Sequence, residues 1–151
     1  MNFNQVFSKI SNELDNAKNK GKVANYIKEL SIVDPTKFGV HLTTIHNKNF
    51  KFGDAKEKFS IQSIAKVLSL SLAYKFEDEN LWKRVGVEPS GTPFNSLIQL
   101  ESDLGIPRNP LINAGALVIC DILVSHLRNP KEDFIQFVRT ISGIPTIDYC
   151  T

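Results

Sequence analysis

Phe59-Ser60-Ile61-Gln62-Ser63-Ile64-Ala65-Lys66-Val67-Leu68-Ser69-Leu70-Ser71-Leu72-Ala73-Tyr74 carries one charge, that of Lys66. From residue 63 to residue 76 the stretch reads as a long helix. A helix that is apolar on nearly all sides is usually buried, and burying an ammonium is costly without compensation. On a helix the compensating carboxylate stands three or four residues away. Those positions hold Gln62, Ser63, Ser69 and Leu70, so no acid is at hand. In a buried helix desolvation would favour the uncharged amine, and an uncharged lysine is a base.

Ser63 lies one turn before Lys66 on the same face, so its hydroxyl is within reach of the amine. A helix starting near Ser63 also offers unpaired N–H groups and a positive dipole end to negative charge. That combination suits a serine nucleophile activated by a lysine. The bland alternative is that Ser63 caps the helix and Lys66 snorkels to solvent. The chain has 12 serines and 14 lysines in 151 residues. About one Ser-x-x-Lys is then expected by chance, which makes the spacing a weak signal alone. It occurs once, in a helix whose only other charge over residues 63–76 is Lys75.

The chain on either side of this helix supplies the rest of the fold. Phe3, Phe7, Ile10 and Leu14 recur at helical spacing, predicting a first amphipathic helix that runs out near Gly21. Val23, Tyr26, Ile27 and Leu30 mark a second short helix, closed by Asp34-Pro35. Val40, Leu42 and Thr44 alternate like a half-buried strand. His46-Asn47-Lys48-Asn49 makes a turn, and Phe50-Lys51-Phe52 begins a return strand ending at Gly53-Asp54. Between Trp82 and Pro110 seven glycines and prolines predict loops, with at most one short helix over residues 94–100. Asn113 precedes a mostly buried helix over residues 114–127. Asn129, Pro130 and Glu132 occupy the cap, first and third positions of a last helix. The expected class is α+β, mostly helical with one N-terminal β-hairpin.

Composition narrows the function classes. Apolar residues make up 42% and charged residues 23%, the proportions of an ordinary globular protein. A net charge of +2, without basic runs interleaved with aromatics, gives no indication of nucleic acid as a partner. The start, Met-Asn-Phe-Asn-Gln, has no signal-peptide pattern, and no apolar run is long enough to span a bilayer. Cys120 and Cys150 form no CxxC pair, which suggests neither a zinc site nor a disulfide framework. A cytoplasmic protein is the expectation, with no membrane partner.

Several blocks together resemble the N-terminal part of the serine-dependent glutaminase family. They are residues 21–27 (Gly-Lys-Val-Ala-Asn-Tyr-Ile), residues 59–67, and residues 84–96 (Arg-Val-Gly-Val-Glu-Pro-Ser-Gly-Thr-Pro-Phe-Asn-Ser). The most specific is residues 105–116, Gly-Ile-Pro-Arg-Asn-Pro-Leu-Ile-Asn-Ala-Gly-Ala. The resemblance runs from about residue 20 to 145. It implies a partial β-lactamase/transpeptidase-like fold with an incomplete sheet, and hydrolysis of L-glutamine to L-glutamate and ammonia without metal or cofactor. Ser63 would be the nucleophile and half of the oxyanion hole through its backbone N–H. Lys66 would take its proton, and Gln62, Tyr26 and Asn113 would help bind the substrate. Taken alone, Asn113 would more often be an N-cap and Tyr26 a packed surface aromatic. Ala65 stands where family members often carry Ser or another small residue.

Family domains are about twice this length, so residues 1–151 would be the N-terminal portion of a single domain. The family takes further substrate residues, and the other oxyanion-hole N–H, from the second half. The resemblance therefore implies a truncated chain, inactive or nearly so alone and prone to aggregate through an open hairpin edge. It also implies a dimer or homotetramer. Two rival readings remain at this stage. One is a β-lactamase-like acylase or peptidase sharing the Ser-x-x-Lys logic; the other is a non-catalytic remnant or interaction module.

Overall fold

The computed structural model describes residues 2–17, 21–93 and 96–149, and for Leu97 and Gln99 the backbone only. Phe94 and Asn95 of the sequence blocks, and Cys150, lie outside the described residues. The chain divides into two compact units, Met1–Phe59 and Ser60–Thr151.

The first unit is a helix laid on a hairpin. In α1 (Phe3–Asp15) the Asn2 side chain caps the start by accepting from the Gln5 N–H. The helix stops at Asn16, short of the predicted Gly21. Both the Asn16 backbone N–H and its side-chain amide donate to the Asn12 carbonyl, which ends the regular ladder. Strands β1 (Gly39–Thr43) and β2 (Asn49–Gly53) pair antiparallel, with Val40 opposite Phe52 and Leu42 opposite Phe50. Asn47 takes the left-handed conformation that the turn requires (φ 58°), and its N–H donates to the Thr44 carbonyl. One hairpin face receives α1: the rings of Phe3 and Phe50 stand 5.1 Å apart, those of Phe7 and Phe52 6.4 Å. The hairpin is therefore not left to itself, because α1 supplies the apolar cover that two strands need.

Between α1 and β1 the predicted second helix shrinks to one turn, α2 (Lys28–Ser31). Val23 and Tyr26 precede it and are not helical. Ile27 is extended (φ −120°), and the Ser31 hydroxyl donates to the Lys28 carbonyl, competing for a helix acceptor. The Asp34 carboxylate then takes both the N–H and the hydroxyl of Thr36 and turns the chain toward β1.

The second unit is helical. A 3₁₀ turn, Gln62–Ile64, leads into α3 (Ala65–Glu77), followed by a second 3₁₀ stretch, Asp78–Lys83. Next come α4 (Leu97–Ser102), α5 (Asn113–His126) and α6 (Pro130–Ser142). Its core joins Leu72 and Ala73 of α3 with Leu81, Val85, and Ile119, Ile122 and Leu123 of α5. Each such leucine, isoleucine or valine contributes about 1.5–3 kcal/mol when fully buried. On α6, Ile135 and Val138 are buried, while Phe134 and Phe137 pack against that core.

The helix expected to be buried all round is buried on one side. Ile64 and Val67 are exposed, as are Leu117 (71%) and Val124 (62%) on α5. Periodicity could not forecast this, because both exposed faces are as apolar as the buried ones. At α6 the predicted capping box also differs. The Asn129 side chain makes no cap hydrogen bond, and Asp133, not Glu132, reaches back to the Asn129 N–H at 3.0 Å. Glu132 faces Arg139 instead, at 3.7 Å. Among the described residues no helix is long and apolar enough to cross a membrane.

Where α3 gives way to the second 3₁₀ stretch, the Tyr74 hydroxyl donates to Glu79 at 2.8 Å and its ring packs on Trp82. Glu79 first, then Asp78, push the Tyr74 phenol up to about 12. Folding favours the neutral phenol, so this contribution is complete below the usual phenol range and is lost as pH rises through about 12. In ultraviolet titration of the tyrosines Glu79→Gln should move the late phenolate step of Tyr74 to lower pH and leave that of Tyr149, raised by its own burial, in place. An unmoved step would refute the assignment.

Candidate active site

The expected nucleophile sits at a strained entry to its helix. Gln62 has φ 42°, a left-handed value for a non-glycine residue, which costs of order 1 kcal/mol or more and persists where surrounding structure enforces it. Ser63 follows in the first turn, where backbone N–H groups have no intrahelical carbonyl to meet. Both residues are exposed. The two surface depressions lined by residues 51–57 and by Gln136, Arg139, Thr140, Gly143 and Pro145 do not include them.

Lys66, three residues on, is half-buried rather than buried. Its amine donates to the Leu111 carbonyl at 2.7 Å and to Asn113 Oδ1 at 2.8 Å. The compensation missing from its own helix thus comes from residues 45 and 47 positions away, as uncharged oxygens. No hydrogen bond joins Ser63 to Lys66 among the described residues. Asn113 is the first residue of α5, and Ile112, extended at ψ 159°, holds the cap position. The Asn113 side chain is therefore engaged with Lys66. Tyr26 belongs to the first unit and is 75% exposed.

What holds Leu111 and Asn113 in place is the segment before them. The backbone of residues 86–88 lies along that of 107–108: Gly86 N–H donates to the Pro107 carbonyl and Glu88 N–H to the Arg108 carbonyl, both at 2.8 Å. A Cβ at Gly86 would stand 2.8 Å from the Arg108 oxygen, so only glycine permits this approach. The Arg108 guanidinium grips Asp103 with two hydrogen bonds, 2.8 and 3.0 Å. Asn109 then donates its amide to the Glu88 carbonyl at 2.8 Å and accepts the N–H groups of Leu111 and Ile112 at 3.0 and 3.1 Å. Sequence reading singled out this block by resemblance but did not see Asn109 or the Leu111 carbonyl as parts of the site. A backbone oxygen leaves no mark in the sequence.

Residues 21–151 match the glutaminase family. A glutaminase of Saccharophagus degradans is 63% identical over 150 residues, covering 99% of this chain and 49% of that protein. Glutaminase 2 of Escherichia coli K12 is 52% identical over 133 residues, 87% of this chain and 43% of that protein. Among solved structures, the probable glutaminase ybaS superposes with a TM-score of 0.79 at 28% identity, over 89% of this chain and 44% of its own. Mglu in its tris and glutamate form gives 0.77 at 29% identity, over 92% and 31%. The chain belongs to the glutaminase family. It spans about half the length of the curated relatives it matches.

Proposed function

We propose that this chain carries the nucleophile side of a glutaminase active site, which hydrolyses L-glutamine to L-glutamate and ammonia. The observation that carries the reading is the double anchoring of Lys66 by the Leu111 carbonyl and Asn113 Oδ1, three residues after Ser63. An uncharged amine has two hydrogens and one lone pair. With both hydrogens donated to those oxygens, the lone pair remains to receive the Ser63 proton.

In this scheme Ser63 Oγ attacks the side-chain amide carbon of glutamine, and Lys66 takes the Oγ proton. The Ser63 N–H stabilises the developing oxyanion. Collapse of the tetrahedral adduct breaks the C–N bond, the Lys66 ammonium returns a proton, and ammonia leaves. Water then cleaves the γ-glutamyl ester, releasing glutamate and restoring Ser63. Asn113, Gln62 and Tyr26 are the substrate-binding candidates, with no metal and no cofactor. A glutamate-bound form is named for the relative Mglu, in keeping with glutamine as substrate here. Residues 1–151 form the N-terminal portion of one domain on this reading, assembled as a dimer or homotetramer. An exposed, unpaired Cys120 thiol suits a cytoplasmic setting.

The test is ammonia release from L-glutamine, by the chain alone and co-expressed with the C-terminal half of the Saccharophagus degradans relative. Activity is expected from the combination, with the chain alone at the background of its Ser63→Ala variant. A combination that assembles stably yet turns over no faster than its Ser63→Ala version would defeat the proposal.

A further inference from the structure

Asn109 touches neither Ser63 nor Lys66 in any hydrogen bond of the described residues, yet the Lys66 amine depends on what Asn109 holds. Its side chain makes three hydrogen bonds to backbone: one given to the Glu88 carbonyl and two received from the Leu111 and Ile112 N–H groups. The peptide N–H of Leu111 is thereby fixed within an Asx-type turn. The carbonyl of that same residue, Leu111, accepts from Lys66 at 2.7 Å. Ile112, the second residue held, is the cap from which α5 starts, and α5 begins with Asn113, the other acceptor of Lys66. One asparagine side chain thus fixes the turn that presents both oxygens.

Three further contacts keep Asn109 itself from moving. Arg108 is clamped to Asp103, Pro110 is buried, and Gly115 lets α5 close on the Asn109 carbonyl. The ladder from residues 86–88 completes the frame, so the Lys66 anchor is tied to Glu88 through a single amide. We infer that Asn109 is a positioning residue for Lys66, acting by locking the Leu111 carbonyl and the start of α5. This deepens the proposed glutaminase reading and rests on it for its catalytic meaning, but not for its structural test.

That test follows Lys66 directly and uses no glutamine. Trace reductive methylation with formaldehyde and borohydride, read lysine by lysine by mass spectrometry, gives the reactivity of Lys66 relative to Lys75 and Lys83 of the same unit. In Asn109→Ala the Lys66 rate should rise about fivefold against those references, the factor that one lost hydrogen bond commands. Asn109→Asp keeps an oxygen for both N–H groups and should stay within about twofold of the parent, since the acceptor half of the side chain is what bears on Leu111. An unchanged Lys66 rate in a folded Asn109→Ala chain overturns the inference. So does an equal rise at all three lysines, which would mean a merely structural role. If Asn109→Ala fails to fold by circular dichroism, Asn109→Leu decides. Leucine keeps the branched shape of asparagine but has no oxygen to receive either N–H group, and a Lys66 rate equal to the parent's overturns the inference equally. A shifted Lys66 rate in a chain whose completed enzyme shows no glutaminase activity would leave the positioning role standing and remove the proposed function.

Discussion

Lys66→Met is expected to slow glutamine hydrolysis roughly 100- to 10,000-fold in the combined assay, the range that a positioned general base supplies. Methionine keeps an unbranched stem, so packing along α3 changes little. The Leu111 carbonyl and Asn113 Oδ1 lose their donor. Leu111 and Asn113 are exposed, so water can replace the amine, and the stability cost should sit near the low end of about 1–3 kcal/mol. Activity should therefore collapse while the melting temperature falls by only about 2–4 °C. Asn113→Ala is the informative companion. It removes one of two acceptors of the amine together with a substrate-binding candidate, so it should raise KM but lower kcat less than Lys66→Met, because the Leu111 carbonyl still holds the amine. A Lys66→Met enzyme within about tenfold of the parent would contradict general-base catalysis by this residue.

The elements that sequence pattern located best were those with local causes. The hairpin follows from alternating Val40, Leu42, Phe50 and Phe52 around a turn that Asn47 can enter at positive φ. Helices α5 and α6 follow from a long apolar run and from Asn129-Pro130. The misses have local causes as well, in polar side chains that compete for helix carbonyls. Asn16 ends α1 early on the Asn12 carbonyl, and Ser31 limits α2 to a single turn. Such competition is visible only once it is known which carbonyl each side chain reaches.

The candidate site divides along the same line. Ser63 and Lys66 stood out because their spacing is one helical turn and because an uncompensated cation in an apolar helix calls for an explanation. The structure sets Ser63 in the 3₁₀ turn before α3, with no hydrogen bond to Lys66 among the described residues. Asn113 was legible only through its place in a block of residues. The element that joins it to Lys66 is tertiary: two oxygens brought 45 and 47 residues along the chain to one amine. Helical spacing made Lys66 look acid-free, and it is acid-free within its own helix. An acid-free helix does not entail a deeply buried amine. Lys66 is half-buried, and neutral oxygens from the α5 entry meet its amine.

Gly115→Ala should be the most destabilising single-methyl change in the second unit. Gly115 is buried in the first turn of α5, facing the loop at Asn109 and Pro110. A Cβ there would overlap the Asn109 carbonyl oxygen and stand 2.8 Å from both the Asn109 carbonyl carbon and Pro110 Cα. All three atoms are backbone, so no rotamer change relieves the clash. Either the start of α5 or the 109–110 loop must move. Overpacking of this kind costs about 1–3 kcal/mol, and more where backbone must shift. Alanine's better helix propensity returns only about 1 kcal/mol. The net effect should be a melting temperature lower by several degrees, roughly 2–4 °C for each kcal/mol lost in a chain of this size. The displacement also bears on function, because the loop that must yield carries the Leu111 carbonyl. Gly115→Ala should therefore raise the labelling rate of Lys66 as Asn109→Ala does, in addition to lowering stability. Gly91→Ala, where an added Cβ meets nothing within 4 Å, is the control and should do neither. A Gly115→Ala chain that melts with the parent would mean that α5 does not close on Asn109 as described.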